Sequence, residues 1–118
     1  MLQPQVDYVD VDVQVSVPAT IVKRDGRVVA FDADRIETVL KRCFNSLSRR
    51  PVISTSELTQ QTVNIVAAKY EQPTVEQIQD IVEMVLLSAG EYEAAKHYIL
   101  YRAERAKLRM ARPIPESV

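Results

Sequence analysis

The chain has 118 residues, 47% of them hydrophobic and 26% charged, with a formal net charge of −1. One domain with a modest core fits that length, burying about 65% of the unfolded surface. The near-neutral charge gives no general attraction to nucleic acid, and a single cysteine excludes both an intrachain disulfide and a cysteine-based zinc site. Charge is nonetheless unevenly spread. The first 20 residues hold Asp7, Asp10 and Asp12 and no base, leaving 15 basic against 13 acidic residues in the remainder. No apolar run is long enough to span a membrane, and the acidic start does not resemble a signal peptide, so the cytoplasm is the expected compartment.

From Val9 to Val17 every odd position is valine and every even one polar. That period of two fits a half-buried strand or an extended arm, ended by Pro18. Residues 1–19 are therefore expected to form an N-terminal extension. The next stretch is Ile21-Val22-Lys23-Arg24-Asp25-Gly26-Arg27-Val28-Val29. Asp-Gly between short apolar runs predicts a hairpin with a type I′ turn and strands near 20–24 and 27–31. Gly26 is one of only two glycines.

Four helices are expected to follow. The first spans about Asp32 to Leu47, with Ile36, Val39, Leu40, Cys43, Phe44 and Leu47 on one stripe. Cys43 thereby reads as a buried structural thiol. The second opens at Ser54 with Glu57 three residues on and runs to about Tyr70; its weaker apolar face places it at the periphery. The third opens at Thr74, with Gln77 completing a second capping box, and Gly90 ends it. The fourth runs from about Glu91 to Met110 and carries apolar residues on two faces, as a sandwiched helix does. The expected architecture is mainly α within the α+β class: a four-helix bundle capped by a small β-hairpin, over residues 20–110, with 111–118 as a linker.

Catalytic chemistry finds little support. His97 is the sole histidine and has no cysteine, second histidine or serine elbow beside it. Glycine-rich phosphate loops cannot be built from two glycines, so a phosphate site would need side-chain cations. Lys23 and Arg24 on the hairpin and Arg35 in the first helical turn are the candidates, since a helix N-terminus also favours anions. Lys96 and Arg102 on the last helix are further candidates.

Three ordered motifs together resemble one family. Ile21 to Arg27 followed by Phe31-Asp32 and Arg35-Ile36, then Thr74-Val75-Glu76-Gln77-Ile78-Gln79-Asp80-Ile81-Val82-Glu83, then Ala94-Ala95-Lys96-His97-Tyr98-Ile99-Leu100-Tyr101-Arg102 are similar to the ATP-cone, the regulatory domain of ribonucleotide reductases. The resemblance implies a non-catalytic allosteric site for ATP, which permits activity, or dATP, which inhibits through oligomerisation, with Mg2+ accompanying the nucleotide. It gives Lys23, Arg24 and Arg35 phosphate roles. Val22 and Val29 would border the adenine, and Asp25 and Gly26 would shape the turn. Thr74 and Gln79 would lie near the sugar, with Gln79 where some reductases have histidine, and Lys96 and Arg102 would be further phosphate contacts. Some members carry a lysine near the position of Glu104.

The family also includes a bacterial repressor with a cysteine-rich zinc ribbon, which one cysteine excludes. The chain is too short for a reductase barrel, so it is expected to be a regulatory segment without reductase activity. An aerobic (class I) large subunit is the expected source. Its partners would be the remainder of that subunit, the small subunit, and further copies when dATP is bound. Two other readings stay open at this point: an interaction domain with a degenerate nucleotide site, and a nucleic-acid-binding regulator using the basic C-terminal run. The lack of an aromatic strand face weighs against the second.

Overall fold

The computed structural model describes residues 17–111. Strands β1 (Thr20–Val22) and β2 (Val28–Ala30) pair antiparallel, with Ile21 opposite Val29. Helices α1 (Ala33–Ser46), α2 (Thr55–Lys69), α3 (Val75–Ser88) and α4 (Tyr92–Ala111) follow. This is the mainly helical α+β arrangement expected. The valine-alternating stretch up to Ser16 and the linker from Arg112 onward lie outside the described residues.

The hairpin departs from the expected turn. Asp25 does not adopt positive φ; within the turn only Gly26 does, at +90°. Gly26 N–H donates to the Lys23 carbonyl at 2.9 Å and Lys23 N–H donates to the Arg27 carbonyl at 2.8 Å. The connection is thus a turn at Arg24-Asp25 followed by a left-handed glycine, one residue longer than a type I′ loop. Asp25 stabilises it locally: its carboxylate accepts from Arg27 N–H at 3.0 Å and from Arg27 Nε at 2.7 Å. Those bonds, the backbone one foremost, hold the Asp25 carboxyl below its usual range.

Helix boundaries follow side-chain chemistry. Asp32 caps α1 by accepting from Asp34 N–H at 3.0 Å. At α3 the full capping box forms: Thr74 Oγ1 accepts from Gln77 N–H at 3.1 Å and Gln77 Oε1 from Thr74 N–H at 3.0 Å. At α2 only half of the expected box forms, Ser54 Oγ accepting from Glu57 N–H at 3.1 Å. Gly90, at φ +78°, ends α3 as its spacing predicts.

The core combines Leu40, Cys43 and Phe44 of α1, Leu58 and Val66 of α2, Ile81, Val82, Val85 and Leu86 of α3, and Ala94, Ala95 and Tyr98 of α4. Two expectations change here. Helix α2 is central rather than peripheral: it packs on both α1 and α3, with Leu58, Thr62 and Val66 fully buried. Its inner face is partly threonine, made compatible with burial because Thr59 and Thr62 donate to the carbonyls four residues back, at 2.8 and 2.9 Å. Helix α4 is covered on one side only. Ala94, Ala95 and Tyr98 are buried, whereas Leu100, Tyr101 and Leu108 are exposed.

The backbone of the hairpin is tied to the start of α3. Val22 N–H donates to the Pro73 carbonyl at 2.9 Å, and Val22 bridges Thr74 in parallel register. Gln72 Nε2 adds a bond to Thr20 Oγ1 at 2.8 Å. These contacts set the ribbon beside the N-terminus of α3, opposite the first turn of α1.

Candidate functional site

Between the ribbon and the helices lies a cavity of about 310 Å³, a size that accepts a small molecule. Ile21, Val29 and Phe31 form its wall on the ribbon side. Ile36 and Val39 of α1, Val75, Ile78 and Val82 of α3, and Tyr98 of α4 form the helical side. Three cations meet at it: Lys23 and Arg24 from the turn region and Arg35 from α1, with Gln79 beside them. An apolar chamber with a cationic rim suits a ligand that has a flat, weakly polar part and a polyanionic part.

The sequence-level candidates divide by position. Lys23, Arg24, Val29, Arg35 and Gln79 line this one cavity although up to 56 positions separate them. Val22 and Thr74 stand behind the wall, joining ribbon to helix through backbone. Asp25 and Gly26 form the turn and do not line the cavity. Lys96 is exposed on α4 and also lies outside the lining.

Arg102 is engaged elsewhere. Its Nη1 donates to Asp80 Oδ1 at 2.9 Å and Glu83 Oε2 at 2.7 Å, and its Nη2 to Glu76 Oε1 at 2.6 Å and the Glu76 carbonyl at 3.3 Å. Burial alone lowers the guanidinium's proton affinity, but the bonds to Glu76, Glu83 and Asp80 outweigh that and raise its pKa. Arg24 reaches the same carboxylate from the opposite side. Its Nε donates to Glu76 Oε2 at 2.8 Å and its Nη2 to Gln79 Oε1 at 3.3 Å. By contrast, the Lys23 and Arg35 side chains make no ion pair among the described residues.

Two residues not singled out from the sequence belong with the site. Glu76 does not line the cavity but binds the rim residue Arg24. Tyr98, 6% exposed, is part of the cavity wall, and burial pushes its phenol pKa up. An acid at Glu76, three residues before Gln79 on one helix, is the signal available for the first. No metal-holding group of His, Cys, Asp and Glu occurs among the described residues, and none of their helices is long and apolar enough to cross a membrane.

Fold and cavity together define a small helical domain with a ribbon-covered, cation-rimmed ligand chamber. The sequence model described as the ATP cone domain matches residues 19–107, and the chain belongs to that family. It is 36% identical over 101 residues to a ribonucleoside-diphosphate reductase subunit alpha of Chlamydia trachomatis, covering 76% of this chain and 10% of the relative. The corresponding protein of Chlamydia pneumoniae is 37% identical over 98 residues, covering 75% of this chain and 9% of the relative. A vitamin B12-dependent ribonucleoside-diphosphate reductase of Mycobacterium tuberculosis is 36% identical over 104 residues, covering 86% of this chain and 14% of the relative. The chain thus spans about a tenth of the reductases it matches, and the match is to the cone segment.

Proposed function

We propose that this domain binds ATP or dATP in the ribbon-covered cavity and acts as the allosteric activity switch of a ribonucleotide reductase, ATP permitting turnover and dATP suppressing it. The observation that carries the reading is the convergence of Lys23, Arg24 and Arg35 on one apolar-walled cavity. A triphosphate with its Mg2+ would sit among these cations, and an adenine would fill the apolar part by the ribbon at Val29. Lys23 and Arg35, unpaired among the described residues, give up no internal ion pair on meeting phosphate. Gln79, which accepts from Arg24 and keeps its amide N–H groups uncommitted to described residues, would face the sugar.

Control of the enzyme would follow from linkage. A nucleotide shifts assembly only by binding one assembled form better than another. The partners are the rest of the large subunit, the small subunit of a class I enzyme, and further large subunits in the dATP state. Titration calorimetry of the 118-residue chain with MgATP and MgdATP tests the reading. Saturable heat with both is expected; no heat from folded protein with either would end it. Sedimentation with dATP should show a rise in mass where the cone itself holds the assembly interface.

A further inference from the structure

A chain of three side chains runs from the last helix to the cavity rim. Arg102 on α4 binds one oxygen of Glu76 at 2.6 Å, and the other oxygen of Glu76 binds Arg24 Nε at 2.8 Å. Arg102 is itself fixed from the far side by Asp80 and Glu83. Its side chain is only 20% exposed. Arg24 sits on a solvent-facing turn, and a free arginine side chain there would sample many rotamers. The Arg24–Glu76 pair is exposed enough to add little to stability, while the Arg102–Glu76 pair belongs to a network with Asp80 and Glu83 that ties α4 to α3. The geometric consequence for Arg24 is larger. Bonds from Nε to Glu76 and from Nη2 to Gln79 fix the plane of the Arg24 guanidinium and leave Nη1 without a partner among the described residues.

We propose that Glu76 and Arg102 are positioning residues for Arg24: α4 anchors Glu76, and Glu76 holds the Arg24 guanidinium at the cavity rim, oriented to grip an anionic ligand through its free nitrogen. Arg102 thereby affects ligand affinity through Glu76, without touching the ligand. The ligand's identity as a nucleoside triphosphate rests on the function proposed above; the orientation of Arg24 does not. Holding a rotamer-rich side chain in its bound geometry lowers the ordering cost of binding. Glu76 also places a negative charge near the phosphates, which Arg102, shared with Asp80 and Glu83, offsets only in part; the gain in order at Arg24 outweighs that cost.

Two measurements on the full 118-residue chain test this. The first is 15N NMR relaxation of the Arg24 Nε–H group without nucleotide. An ordered signal is expected in the unmodified protein, and a mobile one in Glu76→Gln and Arg102→Gln. An Arg24 Nε–H that is mobile from the start, or equally ordered in both variants, overturns the proposal. The second is calorimetry with MgATP. Glu76→Gln should weaken binding about fivefold, and Arg102→Gln about threefold, with far-ultraviolet circular dichroism unchanged. In an Arg24→Ala background, adding Glu76→Gln should change affinity less than twofold. Undiminished or tighter binding by Glu76→Gln, or a full fivefold loss persisting without Arg24, overturns it. Should the unmodified chain bind no nucleotide, the functional reading fails and the relaxation result still decides the positioning role.

Discussion

The Glu91 carboxylate, 1% exposed, accepts from the Val52 backbone N–H at 2.9 Å through Oε2 and from Arg49 Nε at 3.2 Å through Oε1. These bonds fasten the α1–α2 connector to the start of α4. Removing the carboxylate strands a part-buried backbone donor and leaves Arg49 unpaired. Arg49 is 43% exposed and can return to water. Glu91→Ala should therefore destabilise the domain by about 2–3 kcal/mol, and Arg49→Ala, which leaves the buried carboxylate with only the Val52 N–H, by a comparable amount. Urea unfolding followed by circular dichroism measures both; a loss below about 1 kcal/mol in Arg49→Ala would show that the buried carboxylate does not depend on its counter-ion.

Cavity position separates the basic residues by expected effect. Lys23→Ala and Arg35→Ala each remove a rim cation, and each should weaken MgATP binding by roughly 1.5–3 kcal/mol, the range for a charge-assisted hydrogen bond. Lys96 lies outside the lining, so Lys96→Ala should leave affinity within about twofold. Calorimetry on the three variants reads the contrast directly. A loss at Lys96 as large as at Lys23 would place the ligand on a different surface.

Much of this was legible in the chain. The first three helices are marked by a capping residue and apolar residues at helical spacing, as with Asp32 and Ile36-Leu40-Cys43-Phe44 in α1, and α4 by its apolar spacing after Gly90. Lys23, Arg24 and Arg35 stood out by their place around a turn and a helix start. Three things were not legible. The turn geometry depended on Asp25 bonding back to Arg27, which suits a longer loop and which the Asp-Gly pair alone does not reveal. The centrality of α2 was hidden because Thr59 and Thr62 count as polar until their hydroxyls are seen satisfied by their own helix. The engagement of Arg102 by Glu76, Asp80 and Glu83 spans 19 to 26 positions and two helices, and no local pattern encodes it.

Acid should loosen the Arg24–Glu76–Arg102 chain in a defined direction. The hydrogen bond from Arg102 chiefly, and the one from Arg24 with it, outweigh desolvation and hold the Glu76 carboxyl below the usual glutamate range. A carboxyl depressed on folding contributes stability that is present above its unfolded pKa and lost as pH falls through the folded one. Glu76 is about half exposed, so the contribution is small. The melting temperature of the unmodified chain should exceed that of Glu76→Gln modestly at pH 7, and the gap should close below about pH 4. Parallel thermal melts at pH 7, 5 and 3 follow it; a gap that widens on acidification would reverse the sign.

Gly26 is required by backbone conformation alone. Its φ is +90°, and a Cβ built there meets no atom within 4 Å. Gly26→Ala should therefore cost about 1–2 kcal/mol through left-handed strain without a steric clash. The loss falls on the turn carrying Lys23 and Arg24, so weaker MgATP binding should accompany the lower melting temperature. Gly90→Ala, at φ +78° with equally open space, should destabilise comparably and leave nucleotide affinity unchanged. The pair separates strain at the ribbon from strain elsewhere in one calorimetric comparison.

Tyr98 lines, together with Val39, both the ribbon-side cavity and a second one of about 350 Å³ bounded by Arg42, His97 and Tyr101. Its ring is core, yet its hydroxyl makes no hydrogen bond among the described residues. An unsatisfied hydroxyl adds nothing to stability and carries a desolvation penalty. Tyr98→Phe should consequently leave stability unchanged or raise it by up to about 1 kcal/mol. Tyr98→Ala removes a buried ring that lines both cavities and should cost about 3–5 kcal/mol. Urea unfolding of the two variants distinguishes ring from hydroxyl. A loss in Tyr98→Phe above about 1 kcal/mol would reveal an ordered water or other partner satisfying the phenol within the cavity wall.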